Sequence, residues 1–269
     1  GNNDLTLNVY NNRNIRFEAF MGGYGNPSMS QSLSVTTSLY SAAHFGINQL
    51  YKSPNNSRKR FRKLLHFSTL FLSDFILTYS PGGDGWLHEE YHRAVMSRSQ
   101  INSFNDMNTF PIGSEVVSVN HVKDEDLIRF KKESPSDFIR MHVSGIEGEY
   151  LLIDRLQRNN FFYHQNASHE ILYLLVTLNS AMYVSTCSKP DEANRLTDEM
   201  NTKETTIKER DFTGLDFSAW AYDLFKPTVP YEDRGIHPSG VGIDRYIKTT
   251  DLDAKALKYL RNQGRLQWL

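Results

Sequence analysis

The chain is poor in cysteine, in long apolar runs and in net charge. One cysteine among 269 residues, Cys187, leaves no intrachain disulfide and no cysteine-rich metal site. Thirty basic against 31 acidic side chains give a net charge of -1, so no global field draws the protein to nucleic acid or to an anionic surface. The most apolar run, Leu64 to Tyr79, is about 16 residues long, and a spanning helix needs about 20 mostly apolar residues. His66, Ser68, Thr69, Ser73 and Asp74 interrupt it, so it reads as a buried helix and no transmembrane segment is expected. Also missing are a G-x-S-x-G elbow, a P-loop and a dinucleotide fingerprint, which removes the commonest serine-hydrolase and nucleotide-binding readings.

What is present is a globular composition, 39% apolar and 12% aromatic. Alternation over Leu5, Leu7 and Val9, then Ile15, Phe17 and Ala19, around an Asn-rich turn, predicts an N-terminal β-hairpin. Helical patterns follow over Ser38 to Tyr51, Trp86 to Ser97, Lys123 to Glu133, Ser136 to Arg158 with Ser136 as cap, and His169 to Ser185. Glu115 to Val122 alternates as a short strand, and Asp251 to Asn262 reads as a last helix closed by Gly264. Lys189 to Asp211 is charged and polar, and is expected to be an exposed, partly mobile connection. The class is therefore mainly helical α+β. Residues 1–188 would carry a metal-binding domain, with 189–269 as an extension packed on it. Arg58 to Lys63 forms a short basic patch, expected to be a solvated first turn.

His88-Glu89-Glu90-Tyr91-His92 is an H-E-x-x-H sequence. Residues four apart share one helix face, so both imidazoles can reach one ion, and Glu89 falls beside them while Glu90 falls on the far side. Nine histidines and 14 glutamates in a chain of this length give only about 0.015 chance occurrences of the pattern. A catalytic zinc also needs a third ligand. On the helix from Asp137, the expected buried stripe is Ile139, Val143, Ile146, Tyr150 and Ile153. Glu149 flanks that stripe and is the first choice for third ligand, because an ionised carboxylate on a buried face needs a partner. Glu147, with Asp154 on the same flank, and His142 are the alternatives, His142 also suiting a supporting or packing role. Gly145 and Gly148 fit a close approach of this helix to the one bearing His88 and His92.

The motif followed by a glutamate on a later helix resembles the gluzincin branch of the zincin metallopeptidases. The resemblance covers residues 80–158. It implies a zincin-like fold and one Zn2+ per chain held by His88, His92 and Glu149. It also implies peptide hydrolysis, in which zinc acidifies a water and Glu89 takes its proton. The acidic residue that commonly follows the ligand glutamate by four is absent, since Ile153 stands there. Transition-state donors are sought in the polar, glycine-containing loop Tyr231 to Gly240 and its sequel: Tyr231, Arg234, His237 and Tyr246. The expected partner is a peptide or protein, not nucleic acid. A Gly1 start without an apolar leader and a high Asn, Ser and Tyr content point to an exported or cell-envelope setting. The competing class is a non-enzymatic envelope protein with a structural or vestigial metal site.

Overall fold

Ser28 begins the first helix with a reciprocal cap. Its hydroxyl accepts from Gln31 N at 3.3 Å while Gln31 Oε1 accepts from Ser28 N at 2.7 Å, which satisfies two amides that no helical carbonyl can reach. The computed structural model describes residues 26–52, 59–108, 117–162 and 167–268. The expected N-terminal hairpin lies outside them. Among the described residues the order is α1 (Met29–Leu50), α2 (Lys59–Thr78), α3 (Asp84–Arg98), β1 (Phe104–Asn105), β2 (Val119–Asn120), α4 (Asp124–Glu133) and α5 (Pro135–Phe162), then α6 (Ala167–Cys187), α7 (Pro190–Lys203), α8 (Asp216–Phe225) and α9 (Ala254–Leu266). The protein is mainly helical, with one small antiparallel sheet in which Phe104 pairs with Asn120 and Asn105 with Val119. Among the described residues of the expected 115–122 strand, Val119 and Asn120 are the paired ones.

Three apolar clusters lie around α3 and α5. One joins Leu33 and Tyr40 of α1 to Leu87 and Tyr91 of α3, Leu152 and Leu156 of α5, and Leu172 and Val176 of α6. A second packs Val95 and Met96 against Phe130, Phe138 and Met141. A third brings Ile146 and Val184 onto Phe217, Leu252, Ala256 and Leu260, so the C-terminal segment shares the core of what precedes it. Gly83 makes the start of α3 possible. A Cβ there would sit 1.7 Å from the carbonyl oxygen of Leu77, so only glycine lets α2 turn so sharply into α3.

Several elements depart from the sequence reading for physical reasons. Residues 190–203 form a helix rather than a mobile connection. Pro190 opens it, Asp191 and Glu192 complement its N-terminal dipole, and Ala193 and Thr197 are buried. Arg210 and Asp211 beyond it are buried too. Pro135, not Ser136, starts α5. Gly264 lies inside α9 rather than closing it, where a Cβ would meet Ser188 Oγ at 2.2 Å. The buried side of α5 includes Met141, Gly145, Ile146, Gly148, Glu149, Leu152 and Leu156; of the expected stripe Ile146 is buried, Ile139, Val143 and Ile153 are half-buried, and Tyr150 is exposed. Its small and polar residues face the core because α3 lies there. The Leu64–Tyr79 run is not a buried helix: Leu64, Phe71, Leu72, Phe75 and Ile76 of α2 face outward. In α6, Glu170–Cys187 is long and apolar enough to cross a membrane by length and composition, and 39% of it is buried inside the protein.

Candidate metal centre

α3 and α5 cross at two glycines. A Cβ on Gly148 would come within 2.9 Å of the Tyr91 ring, and one on Gly145 would lie 2.3 Å from His88 Nε2 and 2.4 Å from His92 Nε2. Both imidazole nitrogens therefore converge on the same point of α5, in space that only a hydrogen side chain leaves open. Helical spacing places His88 and His92 on one face, with ring centroids 4.9 Å apart.

The third group is Asp216, at the start of α8. Its Oδ2 lies 3.0 Å from His88 Nε2 and 3.3 Å from His92 Nε2. The three ligand atoms all lie within 4.8 Å of one another, and all three residues are buried. Donors at 2.0–2.1 Å from a tetrahedral zinc stand about 3.3 Å apart, so the spacing suits such an ion. His92 Nε2 has no hydrogen-bond partner, a buried polar atom aimed at the same space.

The far side of each imidazole is held. His88 Nδ1 donates to Glu149 Oε1 at 2.6 Å, and the Ser180 hydroxyl donates to the other oxygen of Glu149. His92 Nδ1 donates to the Met141 carbonyl at 2.6 Å, which also accepts from Ser144 Oγ at 2.9 Å. Such bonds favour the neutral tautomer whose lone pair lies on Nε2, and His88 Nε2 stands at hydrogen-bond distance from Asp216 Oδ2. The amide of Asp216 donates to Tyr183 OH at 3.3 Å, and the Tyr183 ring meets His88 edge-on. Asp211 fixes the turn that delivers Asp216: its carboxylate accepts from Val119 N, Thr213 N and Gly214 N at 2.9, 3.0 and 2.7 Å.

The electrostatics follow from burial and pairing. Burial alone would lower the His88 pKa, but its hydrogen bonds to Asp216 and Glu149 raise it well above the usual imidazole value. Burial works against ionisation of Asp216, yet His92 and His88 hold its pKa below the usual carboxylate range. Glu89 is buried beside them and its carboxylate makes no hydrogen bond among the described residues. Burial raises its pKa, an effect reduced by His88 and His92. Its neighbour Glu90 has a different fate: it accepts from Arg93 Nη1 at 2.6 and 2.8 Å and from Asn105 Nδ2 at 2.9 Å.

The other expected site residues lie elsewhere. Glu149 sits on Nδ1 of His88, not with the converging Nε2 atoms. Glu147 pairs with Arg140, and Asp154 with Arg158, both near solvent. His142 donates from Nε2 to Asp223 at 2.7 Å and accepts from the Thr213 hydroxyl at 2.7 Å; Lys131 and Arg234 bind the same aspartate. Tyr231 packs on Phe138 and beneath Arg234. His237 contacts Ser239 and the Tyr246 ring, and burial with Arg210 and Arg245 nearby lowers its pKa to about 4. Tyr246 accepts from Asp211 N and donates to Glu204. These loop residues brace the polypeptide behind the centre and do not line it.

Asp216 and Ser180 escaped the sequence reading. An acid between Leu215 and Phe217 at the start of α8 was the available signal for Asp216; nothing marked Ser180. Comparison with protein-family models, with curated proteins and with solved structures finds no match.

Proposed function

We propose that His88, His92 and Asp216 hold one divalent metal ion, zinc by the chemistry of the donor set, and that the centre hydrolyses peptide bonds with Glu89 as general base. Asp216 takes the ligand place expected of Glu149, which instead orients His88 as a carboxylate–histidine–metal relay does. The observation that carries this reading is a single carboxylate oxygen 3.0 and 3.3 Å from two imidazole nitrogens whose other nitrogens are already committed. A bound zinc supplies Lewis acidity toward a carbonyl and toward water. The protein supplies a carboxylate kept basic by burial, in Glu89, and a site largely closed to solvent. The zincin-like architecture belongs to the same proposal, as does an exported setting.

The test combines metal analysis with a peptide-library digest. One zinc per chain is expected, with cleavage that Glu89→Gln lowers by about 10²–10⁴-fold while zinc stays bound. A reconstituted chain that takes up no metal ends the reading. A second reading, a purely structural metal clamp, is favoured by burial: His92 is fully enclosed and Asp216 is only 4% exposed. Under it, removal of zinc lowers stability and no peptide in the library is cut.

A further inference from the structure

Helix α2 is built inside out. With about 100° per residue, Phe61, Leu64, Leu65, Leu72, Phe75 and Ile76 fall within an arc of about 120°. That arc faces away from the protein, with Phe61 59%, Leu72 55% and Ile76 62% exposed. On the opposite side, Asp74 is fully buried and meets His44 Nε2 of α1 at 2.6 Å. His66 meets Asn48 at 2.8 Å, the Thr69 and Tyr51 hydroxyls meet at 2.6 Å, and Arg62 donates to the Tyr51 carbonyl. α1 shows the same inversion. The likeness is partial: α1 carries no Asp, Glu, Lys or Arg and buries Gln31, Ser34, Thr36, Thr37 and His44, but it also buries Leu33 and Tyr40, and its exposed large apolar residue is Leu50 at the end. α6, which packs on α2, turns Leu174, Leu178 and Met182 outward at intervals of four.

A helix in water puts its polar stripe outside. Polar groups turned inward onto one another, with an uncharged outer face about four turns long, are what a hydrocarbon solvent demands. From Phe61 to Ile76 the face runs about 23 Å at 1.5 Å per residue, less than the roughly 30 Å of a bilayer core, so it suits a helix that reaches into the hydrocarbon without crossing it. The charge pattern selects the lipid. Between Lys63 and Tyr79 the sole charged residue is the inward Asp74, whereas Arg60 and Lys63 are exposed at the opening of the helix. Such a basic cluster at the margin of an apolar surface matches anionic headgroups, and Tyr79 at the other end is a side chain that favours the interface.

We infer that the outward face of α2, with the exposed stripe of α6, is embedded in a bilayer containing anionic phospholipid, its basic end at the headgroups. Nothing in this rests on the metal centre.

The test is sucrose-gradient flotation of the full chain, diluted from mild detergent into vesicles of phosphatidylcholine with or without phosphatidylglycerol. Wild type is expected to float with both, and more completely with phosphatidylglycerol. Arg60→Gln with Lys63→Gln should cost about 25-fold in partition into the anionic vesicles only, at about fivefold per basic residue. Leu72→Glu with Ile76→Glu, both at exposed positions, should abolish flotation. In a Phe75→Trp chain the indole introduced on the outward face should be quenched by brominated acyl chains, a readout that needs no loss-of-binding variant. Wild type remaining at the bottom of the gradient overturns the inference, as does a vesicle-bound Phe75→Trp chain whose added fluorescence bromine leaves bright. So does a water-soluble dimer that Leu72→Glu dissociates, which would make the face a contact between copies.

Discussion

Glu149 and Asp216 grip the same imidazole from opposite sides, His88 Nδ1 at 2.6 Å from one and Nε2 at 3.0 Å from the other. One carboxylate faces the converging ligand atoms, and the other fixes the ring that faces them. Their substitutions should therefore differ in degree. Glu149→Gln should weaken zinc binding by about 10–100-fold, as loss of an orienting partner does. Asp216→Ala, which deletes a donor atom, should weaken it further. Competition with a chromophoric chelator measures both, and an Asp216→Ala chain that holds zinc as tightly as wild type would remove Asp216 from the ligand set.

Gly145 and Gly148 offer a paired comparison on one helix. Each Gly→Ala change forces a Cβ into occupied space, against the two histidines in one case and the Tyr91 ring in the other. Both should cost about 1–3 kcal/mol of stability, as overpacking does. Only Gly145→Ala should also lower zinc affinity. Chemical unfolding alongside metal titration separates the two, and equal metal loss in both variants would show that the crossing as a whole, not the space at Gly145, governs binding.

The adjacent glutamates of the motif should behave oppositely. Glu90 is the buried charge partner of Arg93, so Glu90→Ala leaves that guanidinium with neutral acceptors such as Ser103 and Asn26 and should cost about 3–5 kcal/mol. Glu89 spends burial without a hydrogen bond, so Glu89→Gln should not lower the melting temperature of the metal-free chain. Thermal melts of the two variants side by side decide this, and a destabilised Glu89→Gln would assign that carboxylate a structural duty.

Acid should attack the protein through Asp223. Burial opposes its ionisation, but Arg234, His142 and Lys131 hold its pKa below the ordinary 3.8. A depressed carboxylate contributes stability that is present above its unfolded value and lost as pH falls through and below 3.8. Urea unfolding at stepwise lower pH should show that decline, and Asp223→Asn should flatten it while costing about 3–5 kcal/mol at neutral pH. Asp216, lowered for similar reasons, leaves a residual slope in the variant. An unchanged acid limb in Asp223→Asn would refute the assignment.

The helices of this protein were legible where apolar spacing coincides with burial, as in α3 and α4, each within two residues of its expected bounds. Legibility failed where the buried face is polar. In α5 the close approach at Gly145 and Gly148 and the buried place of Glu149 were readable, but the apolar stripe pointed to Tyr150, which is exposed because those residues and Ser144 take the inward face. α2 inverts the rule altogether. In the site, His88, His92 and Glu89 are tied by helical periodicity and so can be read from spacing. Asp216 stands 128 residues beyond His88 and meets it only through tertiary folding, which no local pattern encodes.

That separation makes the ion a reporter of finished assembly. The two rings belong to a helix completed early in the chain, but the carboxylate that closes the triad reaches them only after α8 has seated on α5 and α6. A truncated chain ending ahead of residue 216 would keep the imidazoles and forfeit tight capture. Zinc uptake during refolding would then time the docking of the last fifth of the polypeptide.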